Sequence, residues 1–108
     1  MLILPWYPKE LAPNARVHRM VKAKAAKQYR LACYAIAKNH PPMQGHLMIL
    51  FYPPNRQARD LDNCLAAIKS GLDGVADAWM VNDRLFRPLT IDFADEIAGM
   101  VKITKVEV

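Results

Sequence analysis

The stretch between Pro13 and Pro41, free of proline and rich in alanine and lysine, constrains this chain most. Such residues lose little on entering a helix, so a long helix is predicted from Val17 or His18 to about Ala37. Asn39-His40-Pro41-Pro42 ends it, because a residue before proline is pushed out of the α region. Along the helix Val21, Ala25, Gln28, Ala32 and Ala35 follow one line, and Tyr29, Cys33 and Ile36 widen it into an apolar stripe. The rest of the chain must supply the surface against which that stripe packs.

Leu2 to Pro8 sets apolar and aromatic residues between prolines, which fits a short edge strand. Leu11-Ala12-Pro13-Asn14 is a turn. His46 to Tyr52, apolar and bounded by Gly45 and Pro53-Pro54, is a buried strand. A second helix starts near Asp62 or Asn63, both good N-caps. Leu65, Ile68, Leu72, Val75 or Ala76 and Trp79 then form its core-facing stripe, and Gly71 and Gly74 mark either close packing or an early end. Leu89, Ile91 and Phe93 alternate as a half-buried strand, and Met100 to Val108 is another, with Gly99 in the turn between them. The order β-α-β-α-β-β predicts an α/β fold: a single two-layer domain over 1-108, a small mixed sheet with two helices. At 108 residues the core is modest and gains from dimerisation.

Met1-Leu2-Ile3-Leu4 stops at Pro5, short of a signal-peptide core, and nothing later approaches eighteen uninterrupted apolar residues. A soluble cytoplasmic protein with no membrane partner is expected. Cys33 and Cys64 lie within predicted helices with no second cysteine or histidine at ligand spacing, so buried free thiols are expected rather than a zinc site or a disulfide. No organic cofactor is indicated.

The net charge of +5 is unevenly spread. Residues 1 to 40 carry eight cationic residues against Glu10 alone, a balance of +7, whereas the remainder carries seven against nine acids, −2. Lys22, Lys24 and Lys27, beside Arg16, Arg19 and Arg30, are explained as a group by phosphate contacts. Within the acidic part, Arg59-Asp60-Leu61-Asp62-Asn63 sets two carboxylates one residue apart at a helix start, and Arg59 joins the expected DNA contacts. Residues i and i+2 point about 200° apart on a helix but to the same side of an extended segment, so Asp60 and Asp62 converge only if the backbone there is extended. Carboxylates held together repel unless a cation lies between them, and Mg²⁺, with Mn²⁺ as substitute, suits two carboxylates completed by phosphate and water. Unpaired surface acids are the plainer alternative. Lys69, seven residues past Asp62, lies within about 20° of the same helix face. It serves either a phosphate or leaving oxygen, or an i,i+4 pair with Asp73.

The pattern resembles the RusA family of Holliday-junction resolvases, including its phage members. The residues that carry the resemblance are Asp60-Leu61-Asp62-Asn63, Leu72-Asp73-Gly74, Asn82-Asp83, and Leu11-Ala12-Pro13-Asn14-Ala15-Arg16-Val17-His18 ahead of the Lys/Ala-rich helix. It implies a homodimeric, Mg²⁺-dependent endonuclease that binds four-way junction DNA and makes paired symmetric nicks, in a bacterial cell or a phage-infected host. It implies that Asp60, Asp62 and Asp83 are metal ligands and catalytic, that Asn63 supports the site, and that Asn14, Arg16 and His18 contact DNA or support the site. The family lysine three residues after the Asn is absent, Ala66 standing there, and Lys69 is the candidate to replace it. Asn82 stands where a further acid is common. A helix running from Asn63 to Trp79 carries the chain about 25 Å away. Asp83 must then return by an extended segment, follow an early helix end at Gly74, or come from a partner subunit. Two alternatives accompany the resolvase expectation: a non-catalytic basic nucleic-acid-binding module, and a nuclease of the same chemistry acting on forks, flaps or RNA.

Overall fold

The computed structural model describes residues 1–107, and the predicted strand end at Val108 lies outside them. Four strands and three helices follow one another as β1 (Leu2–Pro5), α1 (Arg19–Ala37), β2 (Leu47–Tyr52), α2 (Leu61–Ala67), α3 (Lys69–Trp79), β3 (Leu89–Phe93) and β4 (Met100–Lys105). Short 3-10 turns occupy Lys9–Leu11 and Asp83–Leu85. The sheet is mixed, in the order β1-β4-β2-β3. β4 pairs antiparallel with both β1 and β2, and β3 lies parallel to β2. This is the small two-layer α/β domain expected, with β1 on an edge where Pro5 costs no ladder bond. β1 ends at Pro5 rather than Pro8.

Alternation along the strands builds the core. Leu2 and Leu4, Leu47, Ile49 and Phe51, and Val101 and Ile103 are all buried. Ile49 and Ile103 are direct partners in the β2–β4 ladder. Removing a side chain such as Phe51 from this layer would cost about 3–5 kcal/mol.

The buried line of α1 differs from the one predicted. Ala25, Tyr29, Cys33 and Ala37 face inward at a spacing of four, while Val21, Gln28, Ala32 and Ala35 are exposed and Ile36 is largely so. α3 selects that register. A Cβ on Gly71 would lie 2.5 Å from the Tyr29 ring, and one on Gly74 would strike the Arg30 carbonyl oxygen. The two glycines thus mark close packing, and α3 passes Gly74 to end at Trp79, with Met80 in the left-handed region at φ 56°. Tyr29 also donates from Oη to the Pro5 carbonyl at 2.7 Å, tying α1 to the edge strand. Buried Trp79 donates from Nε1 to the carbonyls of Ala37 at 2.9 Å and His40 at 3.1 Å, closing the end of α1.

The single second helix of the prediction is two. It breaks at fully buried Ile68, whose backbone (φ −94°, ψ 5°) leaves the helical region. The bond from Ile68 N–H to the Cys64 carbonyl closes α2, and that from Leu72 N–H to the Ile68 carbonyl opens α3, so the two helices are interrupted at this one residue. Both cysteines are buried free thiols. Among the described residues no helix is long and apolar enough to cross a membrane.

Candidate functional site

Pro53-Pro54 ends β2, and the loop that follows is fixed from within. Arg59 donates from Nη1 to the carbonyls of Asn55 (3.3 Å) and Gln57 (3.0 Å) and from Nη2 to Asn55 Oδ1 (2.9 Å). Its guanidinium also lies over the Trp6 ring, 5.4 Å from the centroid. Arg59 therefore holds the loop. Asp60 follows in extended backbone (φ −100°, ψ 139°) as N-cap of α2, yet its carboxylate makes no capping bond, so its oxygens keep their lone pairs. Helical geometry begins at Leu61, one or two residues earlier than predicted. Only Asp60 of the acidic pair is extended; Asp62 sits in the first helical turn, so the extended backbone expected to bring the two carboxylates together is present at Asp60 alone.

Asp83 returns within the same chain. After Met80 turns the backbone, Asn82 caps the 3-10 turn, its Oδ1 accepting from Arg84 N–H at 3.0 Å. The Asp83 carboxylate then meets Lys69, whose Nζ also donates to Asp73 Oδ1 at 2.6 Å. Lys69 thus bridges the first turn of α3 to the turn that follows it. The two carboxylates raise the lysine above its ordinary value, Asp73 acting more strongly than Asp83, and the lysine holds the Asp83 carboxyl below the ordinary carboxylate range.

Asp60 lines a cleft of about 590 Å³ together with Asn14, Asn63, Arg59, Trp6 and Tyr7. The Tyr7 hydroxyl lies 3.6 Å from Cys64 Sγ, and burial, first, then that thiol push its pKa up to about 12. A second cavity of about 560 Å³ is lined by Arg19, Lys22, Lys69, Ser70 and Asp73, and Pro13 borders both. Pro13 thus stands between the cleft of Asn14, Asp60 and Asn63 and the cavity of the α1 start and Lys69.

Other expected contacts are placed differently. His18 is the N-cap of α1, its Nδ1 accepting from Met20 N–H at 3.1 Å. Arg30 pairs with Asp77 of α3 through two bonds, Nε to Oδ2 at 2.7 Å and Nη2 to Oδ1 at 3.1 Å. No local spacing could have revealed a partner 47 residues away. Arg16, Lys24 and Lys27 are exposed.

Among the described residues no three Asp, Glu, His or Cys side chains are gathered into a group that could hold a metal ion. The oxygen donors of Asp60, Asp62 and Asn63 suit a hard cation such as Mg²⁺ in kind. The third expected ligand, Asp83, is engaged by Lys69.

Fold and site together define a small two-layer α/β domain that carries an acidic strand-to-helix junction beside a basic helix start. No family model matches the chain. It is 44% identical over 115 residues to an uncharacterized protein of Xylella fastidiosa (strain Temecula1 / ATCC 700964), across 95% of this chain and 73% of that protein. The chain belongs to the same family as that protein.

Proposed function

We propose that the protein is a metal-dependent, structure-specific DNA endonuclease of the RusA type, which resolves four-way junctions as a homodimer by paired symmetric nicks. The observation that carries this reading is the return of Asp83 to Lys69 in one chain, across the bend at Ile68 from Asp62. A buttress for surface acids alone needs no such return, whereas phosphodiester cleavage needs carboxylates and a cationic side chain on one face.

Asp60 and Asp62 would hold Mg²⁺ or Mn²⁺, with Asp83 joining them when Lys69 turns to the phosphate. The metal supplies activation of water and neutralisation of charge on the phosphoryl oxygens. Lys69 faces the developing charge, Asp73 keeps its ammonium near the site when substrate is absent, and Asn63 lines the cleft beside Asp60. Asn14, Arg16, Arg19, Lys22, Lys24 and Lys27 draw in and orient the backbone of the DNA, and His18 fixes the start of the helix that presents most of them. Such a protein works in the cytoplasm of a bacterial cell or a phage-infected host.

The engagement of the Asp83 carboxylate by Lys69 favours a second reading, a basic nucleic-acid-binding module in which Lys69–Asp83 is a structural ion pair. Incubation of a synthetic four-way junction with Mg²⁺, with forks and flaps as competitors, separates the two. Paired nicks are expected from the native protein. Asp62→Asn should lose more activity than the roughly 10- to 100-fold that changes around a metal site's ligands cost. Native-like cutting by Asp62→Asn rejects the assigned site, and binding without Mg²⁺-dependent cutting selects the module.

A further inference from the structure

The cleft beside Asp60 has walls that metal binding does not use. Trp6 and Tyr7 leave β1 as a stacked pair, their ring centroids 4.7 Å apart, and the Arg59 guanidinium lies over Trp6. One wall is therefore a run of three flat groups, and a flat aromatic or guanidinium face is what an unstacked base packs against. The side-chain amides of Asn14, Gln57 and Asn63 line the same space. They take no part in fixing the loop, which is done by Asn55, Arg59 and the backbone of Gln57. Each amide offers a donor and an acceptor together, which matches the mixed edge of a nucleobase. Lys9 adds a cation at the same cleft, and its volume of about 590 Å³ falls within the roughly 300–1,000 Å³ of small-ligand sites.

We infer that this cleft receives one unpaired base of the bound DNA strand, packed against Trp6, Tyr7 and Arg59 and met at its edge by the amides of Asn14, Gln57 and Asn63. The inference rests on the nuclease reading for the identity of the strand. A paired base cannot enter a concave site without leaving its stack, which costs a few kcal/mol in a duplex and least where bases are already unpaired, as at a branch. A purely apolar ligand would leave the amides and Lys9 without partners.

The experiment omits metal and so does not depend on cleavage. A labelled eight-residue thymidylate strand and a strand of equal length with every base removed are bound to the native protein at one salt concentration, and affinities are read by fluorescence anisotropy. Both carry the same phosphates, so the backbone contribution cancels in the ratio. The base-bearing strand should bind about tenfold more tightly, and Trp6→Ala should bring the ratio toward one. Because Trp6 also meets Phe51 edge-on in the core, exposed Gln57→Ala serves as the second variant. With its circular dichroism unchanged, its ratio should fall about threefold. Equal affinities for the two strands, no binding of either, or a native ratio kept by both variants overturns the proposal. Loss of junction cutting with this ratio intact would instead strike the nuclease reading alone.

Discussion

Lys69 is where a residue's chemistry and its place in the chain meet. Its ammonium is shared by Asp73 and Asp83, and the Asp83 carboxyl is accordingly held below its ordinary value of 3.8. A lowered carboxylate pKa stabilises the fold above the ordinary carboxylate range and ceases to do so as pH falls through the lowered value. The raised lysine contributes below its ordinary 10.5 and loses that contribution only as pH rises past it. The bridge therefore persists across the neutral range and fails at the acid and alkaline ends. In Lys69→Met the Asp83 carboxyl should titrate higher, toward the ordinary value, as followed by carboxyl-carbon NMR without metal. An unchanged midpoint would mean that the ammonium is not what holds it down. The pair with Asp73 is legible from the sequence as an i,i+4 spacing, whereas the bond to Asp83 depends on how α3 ends, at a left-handed Met80 that no local rule requires.

At the scale of elements, the contact between α1 and α3 decides most of what the sequence left open. Strand positions follow from alternation and proline, and the long helix from alanine and lysine. The inward face of that helix does not follow, because an alanine-rich helix shows several nearly equivalent apolar lines. Gly71 and Gly74 break the tie by letting Tyr29 and the Arg30 carbonyl approach. Gly74→Ala should therefore force the helices apart, at a cost of about 1–3 kcal/mol, in spite of alanine's better helix propensity. Urea denaturation measures it, and a variant as stable as the native protein would show that the crossing is looser than described. The break at Ile68 was likewise hidden, since the apolar spacing runs through it without a proline or glycine at the bend.

Across the whole molecule, charge separates into cations that face solvent and cations already spent. Arg30 is paired with Asp77 and Arg59 with its own loop, whereas Lys24 and Lys27 stand exposed. On the proposed reading, Lys27→Ala should lower the slope of log affinity against log salt by about 0.9 for duplex DNA, and Arg30→Ala by much less. Anisotropy over a salt series gives both slopes, and equal losses would contradict the distinction. The sequence showed the basic half and the acidic junction, but not which cations the fold consumes, because that depends on partners far along the chain. The bend at Ile68 also divides labour within the molecule. α3 is fastened to α1 and shares in the core, whereas the seven residues of α2 bury only Cys64 and Ala67 and bear Asp62 and Asn63 outward. On the proposed reading, substitutions on that outer surface act on the site while the scaffold keeps its stability.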